Sequence, residues 1–189
     1  MKYYQFTNFT AQSRLVSALM LMYANIENSP ENKKIEATPF VVFMAFAVEA
    51  YLNSIGVRVL KYWDKIERIS WEDKIEILHT MANKDIQWDR EPLQFIKSLF
   101  IIRDKLAHGK PELVKSKPYK NKKDVITAEY SNPAHEEQPD WYKKLNREWV
   151  TSAKDKFRIS MQYLGSLHGF HESDYLHHST GGVMADDEK

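Results

Sequence analysis

The chain places its most reactive group of side chains in one short run, Arg103-Asp104-Lys105-Leu106-Ala107-His108-Gly109. These residues close a helix that reads back to about Pro92, since proline suits a helix start and Gly109 followed by Pro111 suits its end. At ~100° per residue, Leu93, Ile96, Leu99, Phe100, Leu106 and Ala107 share a broad apolar face. Arg103 falls near the middle of that face, where a guanidinium is costly without a partner. Asp104 and His108 are four apart on a more polar side, a spacing that lets a carboxylate fix the imidazole tautomer and raise its pKa. Arg103 and His108 are five apart, about 140° around and roughly 7.5 Å along the axis. They converge only if the helix end unwinds near Gly109 or a second copy faces the first. The plainer reading is that Lys, Arg and His near a helix C-terminus complement its dipole while glycine caps it.

The elements that must hold this run are helical. Leu15, Leu19, Met22 and Ile26 recur at helical spacing and predict a first helix over 9–28. Thr38-Pro39 starts a second, Phe40 to about Val57, apolar nearly all round and therefore central to a bundle. Its lone charge, Glu49, either faces a gap between helices or pairs with a cation, for which Arg103 is the obvious candidate. Ser70-Trp71-Glu72-Asp73 has the form of a capping box and opens a third helix to about Asn83.

Beyond His108 the pattern changes. Lys110, Lys115, Lys117, Lys120, Lys122 and Lys123 crowd an insertion, 109–140, that reads as a basic loop. Val125–Tyr130 reads as a short strand within it, with room for a hairpin. Trp149, Ala153, Phe157, Met161, Leu164 and His168 mark a last helix from Trp141 or Asn146 to His168. The expectation is an all-α bundle of about five helices with a long basic loop before the last, one domain over 1–171 and a mobile tail over 172–189. His168, His171, His177 and His178 could ligate a metal but match no usual spacing, so no metal or cofactor is expected.

With 189 residues, 43% apolar content and a net charge of +1, the chain has material for one core and no global attraction to nucleic acid. Any such binding must come from a local patch. The absence of cysteine removes disulfide and thiolate chemistry and suits a cytoplasmic location. The apolar run Phe40–Leu52 is too short to span a bilayer, so no membrane partner is expected.

With the helices placed, Arg103-Asp104-Lys105-Leu106-Ala107-His108 resembles the Arg-x4-His signature of the HEPN superfamily, which lies late in a small helical bundle. The segment Ala47-Val48-Glu49-Ala50-Tyr51-Leu52-Asn53 is similar to that family's earlier core helix. The resemblance spans roughly residues 10–168, and its specific part is six residues long. It implies a dimeric, metal-independent endoribonuclease, a toxin or phage-defence component that an antitoxin protein could accompany. In it, His108 would move protons, Arg103 would hold the scissile phosphate and Asp104 would orient His108. Beside these, Glu49 would position Arg103 and the lysines would contact the RNA backbone. The tyrosine that one toxin branch carries two residues after the histidine is here Lys110. A non-catalytic nucleotide- or RNA-binding or protein-interaction module is the alternative.

Overall fold

The computed structural model describes residues 2–30, 36–116, 118–131, 137–176 and 180–186. Five long or medium helices form the body: α1 (Ala11–Glu27), α2 (Thr38–Val59), α3 (Trp71–Met81), α4 (Leu93–His108) and, last in the chain, α7 (Arg147–Ser166). Two smaller helices, α5 (Lys122–Ser131) and α6 (Asp140–Lys143), fall between α4 and α7. The architecture is the expected all-α bundle. Local chemistry explains the boundaries. Ser70 Oγ accepts from Asp73 N at 3.0 Å to start α3, and Asn146 Oδ1 accepts from Trp149 N at 2.9 Å to start α7. Asn83, at φ 52°, takes the left-handed conformation that ends α3.

α2 is the hub, packed against α1, α3, α4 and α7. It is the one described helix long and apolar enough to cross a membrane. Here Val41, Met44, Val48, Leu52 and Ile55 are fully buried against its neighbours, which makes it the core helix of the bundle. Each such side chain contributes roughly 1.5–3 kcal/mol on burial. Trp63 closes one end of this core over Gly56, where a Cβ would overlap the indole.

Two expectations are corrected. Val125–Tyr130 belongs to helix α5 and not to a strand. Asn121 caps that helix by accepting from Asp124 N at 3.0 Å, and the hydroxyls of Thr127 and Ser131 bond back to carbonyls one turn earlier. The β-branched run misled because no described strand lies beside it to pair with. The short β element joins the chain ends instead. β1 (Lys2–Asn8) pairs antiparallel with β2 (Thr180–Asp186), Gln5 opposite Val183.

The first residues of the expected tail pack into the fold. Asp174 and Tyr175, in a single 3₁₀ turn, are buried. Arg58 Nη1 and Nη2 donate to Asp174 Oδ1 and Oδ2 at 2.9 and 2.7 Å, and Tyr51 Oη donates to Oδ2 at 2.8 Å. The Arg58 guanidinium also lies 3.9 Å from the centre of the Phe170 ring. Lys117, His177 and His178, and residues 132–136 of the insertion, lie outside the described residues.

Candidate functional site

α4 carries the motif. Leu93, Phe95, Ile96, Leu99 and Phe100 sink into the core, while the last two turns run out of it. Ile102 and Leu106 are half-buried against the core and Ala107 is exposed, so the apolar face predicted to continue to the helix end is covered as far as Leu106. Gly109 ends the helix at φ −59°, outside the left-handed region; a Cβ there would overlap the Lys105 carbonyl oxygen. Glycine lets the chain leave close across the helix end.

Arg103 sits where core gives way to solvent, its side chain 21% exposed. Its guanidinium lies 5.0 Å from the centre of the Phe100 ring, one turn back. Nε is 3.3 Å from Asp104 Oδ1, in ion-pair range, yet it is buried and makes no hydrogen bond among the described residues. Phe100 in turn stacks on Trp71 with ring centres 4.3 Å apart, so the surface beneath the guanidinium is fixed. A cation held from below with unspent N–H donors is equipped to take an oxyanion.

Two contacts expected around Arg103 are not the ones made. Glu49 does not reach it: Lys74 Nζ donates to Glu49 Oε1 at 3.3 Å, with the Lys74 side chain 2% exposed and that of Glu49 36% exposed. This pair borders a shallow cleft with Phe46, Asn53 and Arg68, apart from the α4 end. A buried ammonium demands a carboxylate more strongly than a guanidinium at the solvent boundary does, and α3 delivers Lys74 to Glu49. Asp104 turns to Arg103, and no ion pair joins it to His108. His108 is exposed on the last turn, joined neither to Asp104 nor to Arg103 among the described residues.

The surroundings are cationic and aromatic. Lys105 Nζ lies 5.2 Å from the centre of the Trp141 ring, and Trp141 Nε1 donates to Glu112 Oε1 at 3.2 Å. That bond ties the start of the insertion to α6, beside α4. Lys110, Lys115 and Lys120 are exposed, and Lys122 and Lys123 are exposed on the first turn of α5. Lys105 and Trp141 are additions that the sequence did not single out; a tryptophan beginning a helix reads simply as core.

A second polar cluster lies inside the bundle. His79 Nδ1 is 2.8 Å from the Ile75 carbonyl, which can only accept, so Nδ1 carries the proton. Tyr163 Oη, 2.8 Å from Nε2, then donates to it. Burial holds the His79 pKa below the ordinary histidine value and raises that of Tyr163. Burial likewise lowers the pKa of His168, whose Nε2 has no hydrogen-bond partner among the described residues. These groups are neutral internal supports. Among the described residues no three His, Asp or Glu side chains gather as metal ligands would.

Compared with family models, with curated proteins and with solved structures, the chain matches none. The residues at the end of α4 therefore carry the functional argument by themselves.

Proposed function

We propose that the chain is a HEPN-type, metal-independent endoribonuclease whose reactive surface is the exposed end of α4. One observation carries this reading: Arg103 is held over Phe100 with its Nε shielded and unbonded, on the same helix end as an exposed imidazole. In the reaction a ribose 2′-hydroxyl attacks the adjacent phosphorus while His108 accepts its proton. The bond from phosphorus to the 5′-oxygen breaks, that oxygen is protonated, and a 2′,3′-cyclic phosphate remains. Arg103 binds the non-bridging oxygens as charge grows on them. Arg103 and His108 of one chain do not meet, so the productive pair is Arg103 of one copy with His108 of a second. Lys105, Lys110 and the lysines of α5 track the RNA backbone, and Trp141 offers a ring for base stacking. The wider reading is a cytoplasmic toxin or phage-defence component restrained by an antitoxin protein.

The test is cleavage of mixed RNA in EDTA. Wild type yields cyclic-phosphate ends, while Arg103→Ala and His108→Ala each lose cleavage; mixing the two variants restores part of it through hybrid sites. Equal cleavage by wild type and His108→Ala, or no cleavage of any RNA, ends the catalytic proposal.

A second reading, an RNA-holding module without turnover, draws on the openness of His108 and its lack of an orienting carboxylate among the described residues. It expects retained RNA, no products and no effect of His108→Ala on binding. Expression in cells separates the two. Growth arrest relieved by His108→Ala favours the nuclease.

A further inference from the structure

Among the described residues the β1–β2 ribbon is left uncovered. Its strands pair extensively only with one another, and Tyr4, Phe6 and Val183 are exposed rather than part of the helical core. An isolated two-stranded ribbon is marginal in water, and stability takes a third strand or a packed face. Tyr4 and Phe6 lie two apart and so share one face; Phe6 lies across Gly182, where a Cβ would come within 2.9 Å of its ring. From Tyr3 to Asn8 the outer edge of β1 carries no proline and no charge, the devices that keep natural edges from pairing.

The surface continues onto α1. Phe9 and Met20 are exposed, and a groove of about 450 Å³ lined by Val16, Met20, Leu21 and Leu176 runs along α1 toward the foot of the ribbon.

We propose that this face binds a second copy of the chain, with the two β1 strands pairing antiparallel about a two-fold axis through Gln5. A seven-residue strand centred on Gln5 then sets Tyr4 opposite Phe6 of the second copy, and Phe6 opposite its Tyr4. Such aromatic cross-strand pairs are among the favourable ones in sheets. The register is self-complementary, as a two-fold interface requires, and opposes no like charges. The area also fits. Tyr4, Phe6, Phe9, Met20 and Leu21 leave on the order of 500 Å² of side-chain surface in solvent. With the strand edge added, that approaches the ~800 Å² per partner of a standard interface.

This pairing does not rest on the nuclease reading, because no residue of α4 lines the groove. Where copies also meet through α4, the ribbon doubles that assembly.

Sedimentation equilibrium of the full chain tests it. Tyr4→Lys is expected to halve the solution mass at micromolar concentration, weakening association roughly 100-fold, with helical circular dichroism unchanged. An unchanged mass, or a wild type that is already a monomer, overturns the pairing. Gln5→Cys gives an independent reading, because the chain has no cysteine. Opposed strand residues at a two-fold lie within disulfide reach, so mild oxidation should link two chains through it. A control cysteine at exposed Tyr62 should not link. Failure of Gln5→Cys to cross-link overturns the register. RNA cleavage enters neither measurement.

Discussion

Arg58 and Asp174 meet in a two-pronged ion pair, Nη1 to Oδ1 at 2.9 Å and Nη2 to Oδ2 at 2.7 Å, across 116 residues of chain. Asp174 also accepts from Tyr51 at the centre of α2, so one carboxylate fastens the C-terminal segment to the core helix. Asp174→Ala leaves Tyr51 and Arg58 without their acceptor. The expected loss is about 2–3 kcal/mol, below the range for a fully buried pair because the Arg58 side chain is 37% exposed. Urea unfolding measures it; a loss under about 0.5 kcal/mol would contradict the fastening role.

Gly165 lies against the same hydroxyl, and a Cβ there would overlap Tyr51 Oη, which is pinned by Asp174. Gly165→Ala should cost about 1–3 kcal/mol through overpacking, despite alanine's higher helix propensity. Adding Tyr51→Phe removes the colliding oxygen. The double variant should therefore lose less than the sum of the two single changes.

The two cations once in competition for Glu49 should separate in stability measurements. Glu49→Ala strands the buried Lys74 ammonium and should destabilise by about 1–3 kcal/mol. Arg103→Ala breaks no buried pair and should cost less than about 1 kcal/mol, while still removing cleavage if the nuclease reading holds. Thermal melts of the two variants beside wild type would show it. A larger loss for Arg103→Ala would give that residue a structural task instead.

Acid should weaken the fold through His79. Burial depresses its folded pKa below the unfolded value of about 6.5, so the unfolded chain binds more protons in that window. The contribution is complete above about pH 6.5 and is lost as pH falls through the folded value. His168, depressed for the same reason, acts with the same sign. The melting temperature should drop between pH 7 and pH 5, and His79→Gln should flatten part of that drop.

RNA affinity, if the α4 end binds backbone, should fall with salt. On single-stranded RNA each phosphate contact contributes roughly −0.7 to the log–log slope, so replacing Lys105 and Lys110 by alanine should flatten it by about 1.4. Changing exposed Lys61 and Lys65, on another loop, should leave the slope as it was.

Much of the bundle was legible because its signals are local. Ser70 and Asn146 cap helices by reaching three residues ahead, the 3.6-residue stripes of α1 and α7 lie on faces packed against the core, and the all-round apolar character of α2 marks it as central. The insertion was harder to read. Val125, Ile126 and Thr127 favour a strand only where a neighbouring strand accepts their backbone bonds, and with none described beside them the Asn121 cap makes a helix.

The sequence alone determined the all-helical class, the hub helix and the placing of Arg103, Asp104 and His108 at one helix end, because capping and periodicity act over a few residues. Only the tertiary structure decided which carboxylate meets which cation, that the chain ends form a ribbon, and that His108 stands in the open. Those outcomes depend on which surfaces packing brings within about 4 Å, and residues far apart in sequence compete for them without any local trace.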